Sequence, residues 1–246
     1  MVEVVKNYPV AVTASSAADR NSVKAAVVWI LQRAEEQDGQ VLVYSPGRQN
    51  AGYDPVLSRL SQTSGVASET WQTLRRTRWR GGPVLAAWPD QKHLAEIAED
   101  RRTSALCVVP WLEKDVDAWV RARSPQQLGG LATAASEKPL VSNPVVVQGL
   151  RTLSHSVNHA NALAGSMDRR DAIAVLQTLD DGRYPLVAED IYAWALANGW
   201  SASGADRLKE LAARISAGHR PRLNGPNPFR RDILDVWKVE AAHEDS

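Results

Sequence analysis

The chain has 246 residues, 44% of them hydrophobic and 23% charged, the balance of a folded globular protein and not of a disordered one. No run approaches the roughly 18 consecutive apolar residues of a membrane span, and the start, "MVEVVKNYPVAVTASS", lacks the basic-then-apolar order of a secretory signal. The formal net charge of +1 gives the whole molecule no field to attract a polyanion, and the single cysteine, Cys107, cannot close an internal disulfide, so a reducing cytoplasm is the expected compartment.

The N-terminal part alternates between strand-like and helix-like segments. "VEVV" or "YPVAV" supplies a first short apolar run. In "DRNSVKAAVVWILQRAEEQ", Val23, Val27, Ile30, Leu31 and Ala34 recur at helical spacing, Asp19 or Asn21 stands ready to cap the start, and Gly39 follows the end. "QVLVYS", closed by Pro46-Gly47, reads as a strand. "DPVLSRLSQ" reads as a short helix with Pro55 in its first turn, where the missing N–H costs nothing. "VASET" is a weak strand, "TWQTLRRTRW" a helical turn or two, and "GPVLAAW" a strand. Asp90 is the N-cap of a helix "QKHLAEIAED". "ALCVVPW" is a buried strand, and "EKDVDAWVRAR" is again helical. Strands alternating with helices predict a parallel sheet, and a nearly continuous apolar strand such as "ALCVV" fits burial on both faces.

Residues 124–144, rich in small residues, Gly and Pro, read as a linker or surface crossing. Beyond them the pattern is helical. "VVVQGLRTLSHSVNHANAL" reads as one long helix, with Pro144 at its start. "DRRDAIAVLQTLDDG" puts Ala172, Val175, Leu176 and Leu179 on one face and stops at Gly182. "AEDIYAWALANG" ends at Asn198-Gly199. "SGADRLKELAARISAG" carries Ser203 and Asp206 in capping-box-like spacing, and "FRRDILDVWKVE" is a last helix. The expected fold is thus an α/β domain over 1–123, a Rossmann-like parallel sheet without a P-loop, then the 124–144 crossing, then an all-helical domain over 145–246.

Charge is unevenly placed. Arginine outnumbers lysine 22 to 7. Arg75, Arg76, Arg78 and Arg80 form one basic island without an acid, and Arg220, Arg222, Arg230 and Arg231 form a second, so the remainder of the chain is acidic. Such local islands are what phosphate contacts need. Trp71 and Trp79, beside and within the first island, are candidate platforms for a base.

In an open parallel sheet, ligands sit beyond the carboxyl ends of the strands. Ser45, Gly47 and Arg48 after "VLVY" are the leading candidates there, because a Pro-Gly turn exposes backbone N–H groups and Arg48 can pair with a phosphate or carboxylate. Trp88, Pro89 and Asp90, then Pro110, Trp111 and Glu113, occupy the equivalent positions after later strands. The loop "TASSAADRNSVKAA" lies where a P-loop would but lacks its glycines and terminal Lys. Trp-Pro-Asp has no phosphatase loop to serve, since no arginine follows Cys107 at the required spacing. His155 and His159 lie four apart without a third ligand, so no metal and no cofactor is expected. The pair "DIYAWALANGWSASGADRLKEL", with Ala195 and Gly199 four apart, has helix-turn-helix spacing, although Arg207 and Lys209 are balanced by Asp206 and Glu210.

Three functions follow as expectations. The first is a soluble module binding nucleic acid or another polyanion through the two arginine clusters. The second is an enzyme or small-ligand protein holding a phosphate- or carboxylate-bearing ligand at the sheet's carboxyl edge. The third is a structural or interaction protein, self-associating or with a protein partner, suggested by nine tryptophans against one phenylalanine. No catalytic residue is assigned.

Overall fold

The computed structural model describes residues 8–19, 21–129, 138–158 and 162–244. Its two compact units lie within 5–136 and 137–246.

In the first unit six parallel strands form one sheet in the order β3-β2-β4-β5-β1-β6. They are β1 (Val10–Thr13), β2 (Val41–Ser45), β3 (Val66–Thr70), β4 (Gly82–Ala87), β5 (Thr103–Val109) and β6 (Gln126–Leu128). Between them run α1 (Ser22–Gln37), α2 (Arg48–Tyr53), α3 (Pro55–Ser61), α4 (Gln91–Glu99) and α5 (Asp117–Arg123). Successive side chains alternate across the sheet. On one face Val43, Leu85 and Cys107 pack with Ala26 and Ile30 of α1 and with Leu57 and Leu60 of α3. On the other, Leu42, Tyr44, Val84 and Leu106 pack with Leu94 and Ile97 of α4 and Trp119 of α5. Both faces are dry, which is why the central strands are apolar throughout.

The expected parallel α/β sheet is therefore present, with local differences. Residues 2–5, an alternative first strand, lie outside the described residues, and β1 comes from the "YPVAV" segment. The 124–144 stretch contains a strand: β6 pairs with β1 through Ala11 opposite Gln126 and Thr13 opposite Leu128. Its Gln-Gln-Leu sequence carries no strand pattern, because an edge strand needs only backbone pairing. Arg48 to Tyr53 is a short helix, not a turn. At α1 neither candidate cap bonds the helix as expected: Asp19 Oδ1 instead accepts from the N–H of Asn21 at 2.8 Å. Asp54 caps α3, accepting from Val56 and Leu57 N–H at 2.9 and 3.0 Å.

Cys107 is fully buried on β5, and burial alone pushes its thiol well above the usual range. Native protein is expected to resist a disulfide-exchange reagent that labels one thiol per chain in denaturant. Fast labelling of folded protein would contradict this packing.

The second unit contains α6 (Pro144–Ser156), α7 (Ser166–Asp181), α8 (Ala188–Ala197), α9 (Ala202–Ser216) and α10 (Ile233–Glu244). Helix α6 packs on α7 and α10. It is shorter than the sequence suggests. In its last turn His155 Nδ1 lies 2.7 Å from the Arg151 carbonyl and Ser156 Oγ donates to the Leu153 carbonyl at 3.0 Å, side-chain bonds that compete with continuing the helix. Asn143 caps its start, accepting from Val145 and Val146 N–H at 3.0 and 3.3 Å. Asn143→Ala is expected to lower stability by about 1 kcal/mol in denaturant unfolding. Trp237 of α10 is fully buried and donates its indole N–H to Thr152 Oγ at 2.8 Å.

Helices α8 and α9 pack together across a turn in which Gly199 has φ 82°. Ala205 and Leu208 point inward and are fully buried. The N-cap of α9 is Ser201, not Ser203: its Oγ accepts from Gly204 N–H at 3.2 Å. Among the described residues no helix is long and apolar enough to cross a membrane.

Candidate functional site

The order of strands dictates where crevices open. From β1 the chain steps through β2 to β3 in one direction, using α1 and α3 on one face. From β3 it returns through β4 and β5 to β6, using α4 and α5 on the opposite face. Neighbouring strands whose loops leave toward opposite faces part at their carboxyl ends. Three such pairs exist: β1 with β5, β2 with β4, and β2 with β3, since the chain leaves β3 on the α4 face through Leu74 and Trp79.

The β1/β5 crevice is laced by the protein's own bonds. Ser16 N–H and Oγ donate to the Pro110 carbonyl at 3.0 and 3.2 Å, and Ser15 Oγ donates to the Trp111 carbonyl. Trp88 bridges from β4 with φ 56°, its backbone N–H on the Val109 carbonyl at 2.7 Å and its indole N–H on Ser16 Oγ at 2.8 Å. The ring meets Trp111 edge-on at a centroid distance of 6.3 Å, and Trp111 is half exposed. Positive φ on a bulky residue is costly and persists only where its surroundings enforce it; here three contacts hold Trp88.

The β2/β4 crevice differs. Asp90 Oδ1 accepts from His93 N–H at 2.8 Å, as the N-cap of α4, and lies 2.7 Å from His93 Nδ1. The imidazole stacks on Trp71, centroids 3.8 Å apart and planes 12° from parallel. Tyr44, fully buried on β2, turns toward the same helix. Burial first, then the carboxylates of Glu96 and Asp90, push its phenol above its ordinary range, so it stays protonated. Neither Tyr44 Oη nor Trp71 Nε1 has a hydrogen-bond partner among the described residues, and both atoms are buried. Of the residues expected at this edge, Ser45 is buried with its Oγ donating to the Gly47 carbonyl at 3.3 Å, while Arg48 is exposed at the start of α2. Trp71, expected beside the first island as a face for a base, is instead stacked on His93; pattern singles out neither Tyr44 nor His93 as ligand-facing. Only the fold brings the ends of β2 and β3 and the first turn of α4 together.

The first arginine island lies on the chain crossing back from β3 to β4. This crossing takes the place of a helix: Leu74, in a single 3-10 turn (Leu74–Arg76), and Trp79 plug the core beside α4. Trp79 is buried, donates its indole N–H to the Gln40 carbonyl at 2.9 Å, and is covered by the Arg102 guanidinium 5.1 Å from its ring. A ring so enclosed has no face for a base, which corrects its assignment as a stacking platform. Arg75 lies 3.6 Å from Glu96. Arg76, Arg78 and Arg80 are exposed and have no acidic partner among the described residues.

The second island is partly neutralised. Arg220 reaches Asp180 and Asp181, at 2.5 and 3.0 Å, and Arg230 chelates Asp232. Arg222 and Arg231 are exposed. On the helical pair, Arg207 donates to the Ala162 carbonyl at 2.7 Å and Lys209 pairs with Glu189 at 2.6 Å, so both cations of a groove-reading face already have partners. His159 lies outside the described residues, and among the described residues no group of three or more His, Cys, Asp or Glu could hold a metal ion.

Residues 142–238 match the model of a family described as a domain of unknown function, DUF1889. A crystal structure from Salmonella typhimurium is 20% identical, with 40% of this chain and 98% of that chain covered and a TM-score of 0.36. No protein of curated function matches the chain.

Proposed function

We propose that the protein binds nucleic acid through phosphate contacts made by Arg76, Arg78 and Arg80 on the β3–β4 crossing. The observation that supports this reading is the asymmetry between the islands. These three guanidiniums are exposed and without an acidic partner among the described residues, whereas Arg220 and Arg230 already hold carboxylates. With Trp79 buried, binding rests on the backbone charge of the strand and not on base stacking, so it is indifferent to sequence.

Three phosphate contacts predict a slope of log K against log salt of about −2.7 on duplex DNA and about −2 on single strands. Fluorescence anisotropy with labelled oligonucleotides of unrelated sequence, titrated at several salt concentrations, measures it. A flat salt response, or no binding at low salt, would sink the proposal.

A further inference from the structure

Four junctions in the chain place an Asn or Asp before a glycine: Asp38-Gly39, Asp181-Gly182, Asn198-Gly199 and Asn224-Gly225. They share one reactivity. The glycine's backbone nitrogen can attack the preceding side-chain carbonyl carbon, and with no Cβ nothing of its own hinders the approach. The attacking nitrogen must first be free to give up its proton. A hydrogen bond that holds this N–H in a helix end blocks the reaction until that end opens.

Three of the four junctions are held in this way. Gly39 N–H donates to the Ala34 carbonyl at 3.2 Å at the end of α1, Gly182 N–H to the Thr178 carbonyl at 3.1 Å at the end of α7, and Gly199 N–H to the Leu196 carbonyl at 3.4 Å at the end of α8. Asn198 is held twice, since its Nδ2 also donates to the Trp194 carbonyl at 2.8 Å. Asn224-Gly225 differs. It lies between α9 and α10, outside any helix or strand, and both residues are exposed. Neither the Asn224 side chain nor Gly225 N–H has a hydrogen-bond partner among the described residues. The space at Gly225 is open, for a Cβ there would meet nothing within 4 Å.

We infer that Asn224 is a site of spontaneous deamidation, selected by the fold from the two Asn-Gly junctions of the chain. The Gly225 nitrogen loses its proton and bonds to Asn224 Cγ, the Cγ–Nδ2 bond breaks, and Nδ2 leaves as ammonia with protons from solvent. Water then opens the cyclic imide. Opening at Cγ gives aspartate at position 224, and opening at the backbone carbonyl gives isoaspartate. In sum an amide and water become a carboxylic acid and ammonia, with no oxidant or reductant. Either product is a carboxylate on the segment that runs between Arg222 and Arg230, so each converted chain gains a negative charge within the second arginine island. The site does not involve the β3–β4 crossing and stands or falls without the nucleic-acid reading.

Peptide mapping by mass spectrometry tests this on the full-length native protein, incubated at mildly alkaline pH. The peptide containing Asn224 is expected to gain the mass of an amide-to-acid change and to split into aspartyl and isoaspartyl forms. It should do so at least about 10-fold faster than the peptide containing Asn198, whose two hydrogen bonds must open first. In denaturant those bonds are gone, and the two junctions are expected to react alike. Asn224→Gln, whose longer side chain must close a larger and less favourable ring, is expected to lose the acidic species seen on isoelectric focusing. A native rate at Asn224 no faster than at Asn198, or one well below its own rate in denaturant, overturns the assignment. So does an acidic species that survives undiminished in Asn224→Gln.

Discussion

Gly82→Ala is expected to unfold or nearly unfold the N-terminal unit, at a cost above about 4 kcal/mol. Gly82 opens β4 with φ 142°, outside the range that L side chains adopt readily. A Cβ there would lie 2.3 Å from the Gln40 carbonyl oxygen and 3.0 Å from the Gln40 nitrogen, and both are backbone atoms that cannot swing aside. The same carbonyl accepts the Trp79 indole N–H, and Gly82 N–H donates to the Arg102 carbonyl at 3.0 Å. Pushing Gln40 away would therefore disturb the amino ends of β2, β4 and β5 together, where β4 already carries a register irregularity against β5 at Gly82/Pro83. Gly52 is the control. It lies within α2, and a Cβ there meets nothing within 4 Å, so Gly52→Ala is expected to be neutral or stabilising by up to about 1 kcal/mol. Denaturant unfolding of both variants measures the contrast. A Gly82→Ala protein as stable as its Gly52→Ala counterpart would show that the crossing has slack at its return to the sheet.

What the sequence revealed depended on whether the cause was local. Central strands such as "ALCVV" declare themselves because a strand buried on both faces must be apolar along its whole length. The cap at Asp90 acts over three residues, Pro55 and Pro144 stand in the first turns of α3 and α6, and Gly182 follows α7 as the stop signal requires. Elements whose cause is distant stayed hidden. Strand β6 exists because β1 offers it an edge, and α2 buries only Ala51, so neither shows a periodic stripe. Trp79 looks like an aromatic among arginines, yet its burial depends on Gln40 and Arg102, 39 and 23 residues away. The pairing of Arg220 with Asp180 and Asp181 spans about 40 residues. The carboxyl edge was legible as a location, since strand ends followed from the pattern. The pairing of Tyr44 and Trp71 with one helix stripe was not, because it depends on which strands are neighbours.

Replacing Arg76, Arg78 and Arg80 together by alanine is expected to remove most salt-sensitive nucleic-acid binding. With three contacts the intact protein should lose about 40-fold in duplex affinity between 50 and 200 mM salt, and the triple variant should show almost no change. Loss of net charge alone weakens attraction to any polyanion, so the comparison needs a charge-matched partner. Arg220→Ala, Arg230→Ala and Lys238→Ala also remove three positive charges, each from a cation that holds a carboxylate, Lys238 pairing with Asp235 at 2.9 Å. These are expected to leave affinity within about 2-fold, because an arginine already engaged releases few counterions when removed. Equal losses in the two triple variants would mean that only overall charge matters. Arg75 supplies an internal check. It is highly exposed but lies 3.6 Å from Glu96, and an exposed pair of this kind is worth at most about 1 kcal/mol. Glu96→Gln should therefore release Arg75 toward the phosphates and steepen the duplex salt slope by about one unit, a gain of binding that a merely structural role for the crossing would not produce.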